Sequence, residues 1–114
     1  MTKEARRVAE AFKAGRRLTI KRTATDGNYV WLHGNTIAYR GEHGEVYVTL
    51  AGWGSPTTRD RLNAICDAYG RGRPFSQKRF VQYFDGREIS ADDKIPLLGP
   101  LGALVMESER RLAA

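Results

Sequence analysis

Basic side chains are concentrated at the amino-terminal end of the chain, where they could bind phosphates. The first 22 residues carry eight lysines and arginines against two acidic residues, whereas residues 23–114 carry eleven of each. Each contact between such a cation and a nucleic-acid phosphate releases counterions and adds affinity that does not depend on base sequence. This function requires the cations to form one basic zone after folding, and the alternative is a solvated charged surface. The candidates are Lys3, Arg6, Arg7, Lys13, Arg16, Arg17, Lys21 and Arg22.

A second basic cluster lies further along, with no acidic residue between Asp67 and Asp85. Within it, Arg71-Gly72-Arg73-Pro74 resembles the core of the AT-hook family, in which an extended Arg-Gly-Arg lies in the minor groove of A·T-rich DNA. A preceding proline is missing and a predicted helix ends just before it, so we favour an ordinary loop here. The candidate binding residues of this cluster are Arg71, Arg73, Lys78 and Arg79.

Five aromatic residues fall on predicted strands and could present their rings on the surface of a sheet. Single-stranded bases stack on platforms of this kind. The alternative, which we favour, is that most of these rings pack as core under a helix. The five are Tyr29, Trp31, Tyr39, Tyr47 and Tyr83.

The residue patterns of common enzymes are missing from the sequence. There is no glycine-rich phosphate loop, no Gly-x-Gly-x-x-Gly and no His-Glu-x-x-His. We interpret His33 as a strand-edge residue bonded to backbone and His43 as a solvated turn residue. The adjacent Asp92 and Asp93 are typical of helix capping rather than of a metal site. We therefore expect no enzymatic activity, no catalytic residues, no bound metal and no cofactor.

Length and composition limit the class of protein. The 114 residues make about one domain, and 41% hydrophobic with 28% charged residues is typical of a globular chain. The longest apolar stretch, Ile95–Met106, is broken by two prolines and two glycines, so we expect no membrane span. The single cysteine, Cys66, cannot form an internal disulfide, which favours a reducing cytoplasm.

Hydrophobic periodicity predicts an α+β domain with an amino-terminal helix, an antiparallel sheet of about five strands, one helix packed on the sheet and an irregular tail. Residues 1–17 form the basic amphipathic helix, capped by Thr2 and stopped at Gly15. Residues 18–89 form the α+β core, and residues 90–114 a Pro/Gly-rich tail with a short helix. All three segments belong to a single domain.

Alternation and turn residues predict the elements of the core. A strand from Leu18 ends at the turn Asp26-Gly27, and the next strand buries Val30 and Leu32. In the strand after it, Ile37 and Tyr39 share one side. The second helix runs from Ser55 to about Tyr69, with Thr57 and Asp60 as a capping box and Cys66 in the core.

The last third of the chain is predicted to hold a hairpin and a tail. Residues 75–84 form the hairpin, turning at Arg79-Phe80, and Asp85-Gly86 forms the next reversal. Residues 95–102 are predicted as a loop with exposed leucines. Beyond it, a short helix would contain Leu101, Leu104 and Val105 and end at Arg110-Arg111.

Several short motifs recur together between residues 23 and 89. They are Leu32-His33-Gly34-Asn35, Ile37-Ala38, Ala51-Gly52-Trp53, Thr57-Thr58-Arg59, Arg61-Leu62-Asn63, Gln77-Lys78 and Asp85-Gly86. With these motifs the segment resembles a group of small proteins of tailed bacteriophages and prophages that have no assigned activity. The resemblance implies a phage gene product acting in the host bacterial cytoplasm.

In this shared segment we expect Thr57 or Thr58 to cap the second helix. Arg59, Arg61 and Asn63 would then project from its first turns and suit phosphate or carboxylate binding. The alternative is that Arg61 or Asn63 fixes the preceding hairpin by binding its backbone carbonyls.

Two functions remain open from the sequence. The first is binding of DNA or RNA through a basic surface. The second is binding of an acidic host protein, as in host takeover or anti-defence inhibition, with the apolar segment Ile95–Met106 as an anchor. A homo-oligomer through residues 95–112 is also open.

Overall fold

The computed structural model describes residues 1–99, and the predicted helix after Leu101 lies outside the described residues. The α+β class is confirmed. Neither helix within residues 1–99 is long and apolar enough to cross a bilayer. The elements are α1 (Lys3–Lys13), β1 (Leu18–Ile20), β2 (Thr23–Thr25), β3 (Tyr29–Leu32), β4 (Asn35–Arg40), β5 (Val46–Val48), α2 (Pro56–Ala68), β6 (Phe75–Lys78), β7 (Val81–Phe84), β8 (Arg87–Ile89) and β9 (Ile95–Leu98).

Two antiparallel sheets replace the single sheet that the sequence predicted. Six strands pair in the order β1-β2-β3-β4-β5-β9, and β6-β7-β8 form a separate sheet of three strands. The strand expected from Leu18 to the Asp26 turn is divided, because Lys21 adopts a φ of 55° and reverses the chain between β1 and β2. Lys21-Arg22 is not a usual turn sequence, so the sequence around it gives no indication of a turn between β1 and β2.

A β-bulge in β4 sets which side chains face the core. Val30 pairs with Ala38, but the next residue of β3, Trp31, pairs with Thr36, so Ile37 has no partner of its own. Ile37 and Ala38 are therefore both buried, while Tyr39 turns to the opposite face. The predicted common side for Ile37 and Tyr39 is wrong because a bulge breaks the period of two.

Helix α1 begins and ends where its sequence predicts. The Thr2 side chain accepts the backbone N–H of Ala5 at 3.1 Å, and Gly15 follows the helix with a φ of 72°. The apolar stripe of α1 packs on β1, β2 and α2, with Phe12 fully buried. Burial of a ring of this size stabilises the fold by roughly 1.5–3 kcal/mol.

Helix α2 is capped by a residue other than the ones predicted. Ser55 is the N-cap, and its Oγ accepts the backbone N–H of Thr58 at 3.1 Å. The expected capping box of Thr57 and Asp60 is wrong, as is capping by Thr57 or Thr58. Pro56 at the first helical position explains the shift, because its fixed φ favours helix initiation one residue after the cap.

Cys66 lies in the core, as predicted from the α2 periodicity. It is fully buried, and that burial raises the pKa of its thiol to about 12. The thiol is therefore protonated at neutral pH, and Cys66 serves to pack the core.

The small sheet contains both turns that the sequence predicts, at Arg79-Phe80 and Asp85-Gly86. Asn63 fastens this sheet to α2: its amide nitrogen donates to the Phe75 carbonyl at 3.0 Å and its amide oxygen accepts the Phe75 N–H at 2.9 Å. Asn63 thus fixes a hairpin, as the structural alternative proposed, but the hairpin that follows α2 rather than the one before it.

Residues 95–98 form strand β9, so the prediction of a loop with exposed leucines is wrong for this stretch. β9 pairs with β5, and Leu97 is buried in the core. Pro96 is compatible with this position because an edge strand does not need every backbone N–H for pairing. The described part of the apolar segment therefore belongs to the fold and is not a free anchor.

Candidate nucleic-acid interface

The outer face of the six-stranded sheet carries four aromatic rings in a row, which we call the aromatic strip. Its members in spatial order are Trp31, Tyr29, Tyr39 and Tyr47. Neighbouring ring centroids lie 5.6, 6.5 and 5.2 Å apart, with interplanar angles of 17°, 26° and 23°. The rings therefore share nearly one orientation across β3, β4 and β5.

Strand register explains how the strip forms. Tyr29 pairs directly with Tyr39, and Tyr39 pairs with Tyr47, so the three rings lie side by side on adjacent strands. Trp31 is two residues from Tyr29 and points to the same face. The opposite face of the same strands, with Val30 and Val48, packs against the helices.

The expectation that most of the aromatic residues pack under a helix is wrong. Both sets of alternating positions in β3 are apolar, so the sequence did not show which set the helices would cover. The helices cover the aliphatic set, which leaves the strip half-buried and Tyr29 43% exposed. The fifth aromatic candidate, Tyr83, lies on β7 in the small sheet.

The turn between β2 and β3 fixes the backbone of Tyr29, a member of the strip. The Asp26 carboxylate accepts the backbone N–H groups of Asn28 and Tyr29, each at 2.8 Å. These hydrogen bonds hold the pKa of Asp26 below its usual value, and nearby Arg17 lowers it further. Tyr29 is thus held in place by its own turn, with a cation close by.

Four exposed cations lie around strand β1 at the edge of the same sheet, and we call them the β1-edge cations. Arg16 and Arg17 precede β1, while Lys21 and Arg22 form the turn after it. β1 lies two strands from β3, roughly 10 Å at ordinary strand spacing. Lys21 makes an ion pair of 3.6 Å with Glu4, and such an exposed pair contributes little.

The other amino-terminal cations lie on a different layer of the molecule. All four belong to α1, which covers the inner face of the sheet. Three of them are exposed, whereas Lys13 is half-buried and its Nζ lies 5.6 Å from the centre of the Tyr69 ring. The sequence hypothesis of one basic zone therefore resolves into a group on α1 and a group around β1, and the two groups meet where Lys21 pairs with Glu4 of α1. We call the group on α1 the helix-face cations: Lys3, Arg6, Arg7 and Lys13.

Arg61 does not project from α2 as expected, because its side chain binds three protein groups. Nε donates to Thr23 Oγ1 at 3.0 Å, and Nη1 donates to Thr2 Oγ1 at 3.0 Å and to Asp60 Oδ2 at 2.6 Å. Burial raises the pKa of Asp60, but hydrogen bonds from Thr2 and the Arg61 charge outweigh it and lower the pKa overall. Arg61 joins both helices to β2.

Arg59 is also engaged by the protein. Its Nη1 donates to the Gly54 carbonyl and to Gln77 Oε1, both at 2.7 Å. These bonds tie the start of α2 to the β6–β7 hairpin. The ligand-binding role predicted for Arg59 and Arg61 stays a prediction, and the geometry assigns both of them a bridging role within the fold.

The second basic cluster is distributed over a loop and a hairpin. Arg71 donates to the Leu97 carbonyl at 3.2 Å and makes an ion pair of 3.6 Å with Asp85. Gly72 has a φ of 67°, so Arg71-Gly72-Arg73 is not extended as an AT-hook would be. Arg73, Lys78 and Arg79 are exposed, the last two at the β6–β7 hairpin.

The two histidines occupy separate turns at opposite ends of β4. His33 has a φ of 50° and its backbone N–H donates to the Arg22 carbonyl at 3.0 Å, while its side chain is exposed. His33 therefore lies in the turn between β3 and β4 rather than at the edge of a strand. Among residues 1–99 no three histidine, cysteine or acidic side chains come together to hold a metal ion.

Comparison with known proteins relates the chain to a phage protein family. No curated protein and no solved structure matches it. A family model described as Kyanoviridae Gp96 protein matches residues 1–96. The match is wider than the resemblance noted for residues 23–89, because it also takes in α1 and part of β9. The chain belongs to the Kyanoviridae Gp96 family and is a phage protein.

Proposed function

We propose that this phage protein binds single-stranded nucleic acid on the aromatic strip, inside the infected bacterium, as a binding protein rather than an enzyme. The observation that carries the proposal is the row of four similarly oriented rings on the sheet face opposite the two helices. Base stacking on aromatic side chains contributes about 1–3 kcal/mol per base and tolerates any sequence. A duplex hides its base faces, so the strip favours a single strand.

The β1-edge cations supply the phosphate contacts that such a surface needs. They flank the strip on the side of Tyr29, and four phosphate contacts would give a salt slope of about −3 for a single strand. A strand whose bases stack on β3 to β5 would carry its backbone toward β1. Stacking and charge then act on the same ligand from neighbouring parts of one sheet.

The test removes two rings from the strip. The double variant Trp31→Leu with Tyr39→Leu keeps apolar side chains on the strands but loses the stacking surfaces. We expect it to bind a fluorescently labelled 15-nucleotide single strand at least about 30-fold more weakly, measured by anisotropy at low salt.

Tyr83→Leu is the matched control, since Tyr83 is a strand tyrosine outside the strip, and it should bind as the unchanged protein does. Equal losses in the two variants would show that the strip has no special role. Equal affinity of the unchanged protein for duplex and single strand would contradict stacking as the source of affinity.

A second candidate function, binding of an acidic host protein, is favoured by the tip of the β6–β7 hairpin. Phe80 is 93% exposed there, next to Lys78 and Arg79. Arg79 and Phe80 both have positive φ, at 52° and 69°, where Asn-Gly is the unstrained choice. An exposed phenylalanine kept in a strained turn suggests selection for binding rather than stability.

Replacing Arg79-Phe80 by Asn-Gly separates stability from binding at this tip. We expect Arg79→Asn with Phe80→Gly to raise the free energy of unfolding by about 1 kcal/mol, measured by chemical denaturation. If the tip binds a host protein, tagged protein from nuclease-treated infected cells retains that protein and the double variant loses it. A variant that is more stable and captures the same proteins would remove this candidate.

A further inference from the structure

A pocket lies on the helix side of the molecule, where the β3–β4 turn, the end of β5 and the first turn of α2 meet. Its volume is about 530 Å³, within the range of small-molecule sites. Leu32, Ile37 and Leu50 line it with aliphatic surface, and all three belong to the core. The aromatic strip lies on the other face of the sheet, so the pocket is a separate site.

Trp53 forms an exposed aromatic wall of this pocket. Its side chain is 63% exposed although the backbone around it is firmly held. The Trp53 N–H donates to the Leu50 carbonyl at 2.9 Å, and Gly52 N–H donates to the Ala91 carbonyl at 2.9 Å. Ala51 and Gly52 both have positive φ, which turns the chain so that the indole stands at the pocket.

Several polar side chains that line the pocket have no hydrogen-bond partner among residues 1–99. The Ser55 and Thr58 side chains bind each other in the cap of α2. By contrast, the side chains of His33, Asn35 and Thr57 make no hydrogen bond within residues 1–99. The lining residues from the described part of the chain include no lysine, arginine or carboxylate. The pocket therefore matches a flat, uncharged ring that has hydrogen-bonding groups along its edge.

We infer that this pocket binds a nucleobase. The indole of Trp53 stacks on the ring, the aliphatic residues cover its apolar surface, and the Asn35 amide binds the base edge as asparagine does for adenine. The base belongs either to a free nucleoside or to a nucleotide unstacked from a strand. This inference goes beyond the proposed function, because free nucleosides need neither the aromatic strip nor the cations.

The fluorescence of Trp53 reports directly on the pocket. The chain has two tryptophans, so Trp31→Phe leaves Trp53 as the only one. In this background we expect adenosine, guanosine, cytidine or thymidine to quench the emission saturably at sub-millimolar concentration. Ribose 5-phosphate, which has no base, should leave it unchanged. An oligonucleotide titrated in parallel distinguishes a base within a strand from a free nucleoside.

Two variants test the polar groups. Asn35→Leu should weaken nucleoside binding about tenfold, because it removes the hydrogen bonds to the base edge. Thr57→Val tests the α2 side of the pocket without changing β4, and Thr19→Val on exposed β1 is its matched control. Of these two threonine variants, only Thr57→Val should weaken nucleoside binding.

Two results would overturn the inference. One is the absence of saturable quenching by any nucleoside in the folded protein. The other is displacement of the nucleoside by an apolar aromatic probe such as anilinonaphthalene sulfonate with no loss in the Asn35 variant, which would indicate a non-selective apolar pocket. Because free nucleosides are the probe, failure here leaves binding on the aromatic strip to its own test.

Discussion

Replacing Arg40 with methionine is expected to lower the free energy of unfolding by about 3 kcal/mol. The Arg40 guanidinium donates to the carbonyls of Phe12, Lys13 and Gly27, the last at 3.0 Å. It also donates to the Tyr69 hydroxyl at 3.1 Å. Methionine would fill much of the space but remove these hydrogen bonds. The Phe12 carbonyl would keep the Gly15 N–H as a donor. Each acceptor that is left without a donor and away from water would cost about 1 kcal/mol or more.

The Arg40 guanidinium contacts the carboxyl-terminal end of α1, and this contact adds to the stability lost on replacement. Phe12 and Lys13 are in the last turn of the helix, where the carbonyls carry partial negative charge, and the Phe12 carbonyl also accepts the Gly15 N–H at 3.1 Å. The guanidinium carbon also lies 4.6 Å from the centre of the Phe12 ring. Arg40→Lys keeps the charge but not the planar set of donors, so we expect an intermediate loss.

The control for Arg40 is an arginine on an exposed strand. Arg87→Met on β8 changes the same residue type where the side chain faces solvent. We expect a change within about 0.5 kcal/mol, as for most surface substitutions. Denaturant titration of the three variants measures the free energy of unfolding. Equal stability of the Arg40 and Arg87 variants would show that the hydrogen bonds of the Arg40 guanidinium contribute nothing.

Sequence reasoning succeeded where the physical cause is local. The Thr2 cap, the stop at Gly15 and the Asp26-Gly27 turn depend on residues within one helical turn or one hairpin loop. The buried stripe of α2 with Cys66 follows from helical periodicity alone. Such features need no knowledge of the rest of the chain.

Sequence reasoning failed where a strand or a side-chain contact depends on an element far away in the chain. β9 exists because β5 has a free edge 47 residues earlier in the chain, where Val48 pairs with Ile95. Arg40 was not recognised because its partners on α1 and α2 are 27 to 29 residues away. The partners of Arg61, Thr23 and Thr2, are 38 and 59 residues away in sequence.

The aromatic strip shows the same limit at the level of the site. The alternation that aligns Tyr29 with Trp31 was readable, but the choice of covered face depends on where α1 and α2 dock. The helices pack on the aliphatic face, which interlocks with their own small and branched side chains such as Val8 and Ala9. The docking of α1 also decides which amino-terminal cations lie on the helix and which lie around β1.

Neutralising the β1-edge cations is expected to weaken nucleic-acid binding strongly, whereas neutralising the helix-face cations is expected to weaken it much less. Changing Arg16, Arg17, Lys21 and Arg22 together to glutamine removes four positive charges beside the strip. We expect the affinity for a labelled single strand to fall roughly 100-fold or more at low salt, and the salt slope to become shallower by about 3. Anisotropy titrations over a series of salt concentrations measure both quantities.

The matched control removes the same number of charges from the other layer. Lys3, Arg6, Arg7 and Lys13 changed to glutamine give an identical net charge, so any difference between the two variants comes from position rather than total charge. If the cations acted only by long-range attraction, the two variants would lose the same affinity, because this attraction depends on net charge and falls with salt. A helix-face variant that loses as much affinity and slope as the edge variant would therefore place the phosphates on α1, away from the strip. Loss in the edge variant alone would show that phosphate contacts and stacked bases meet on one sheet.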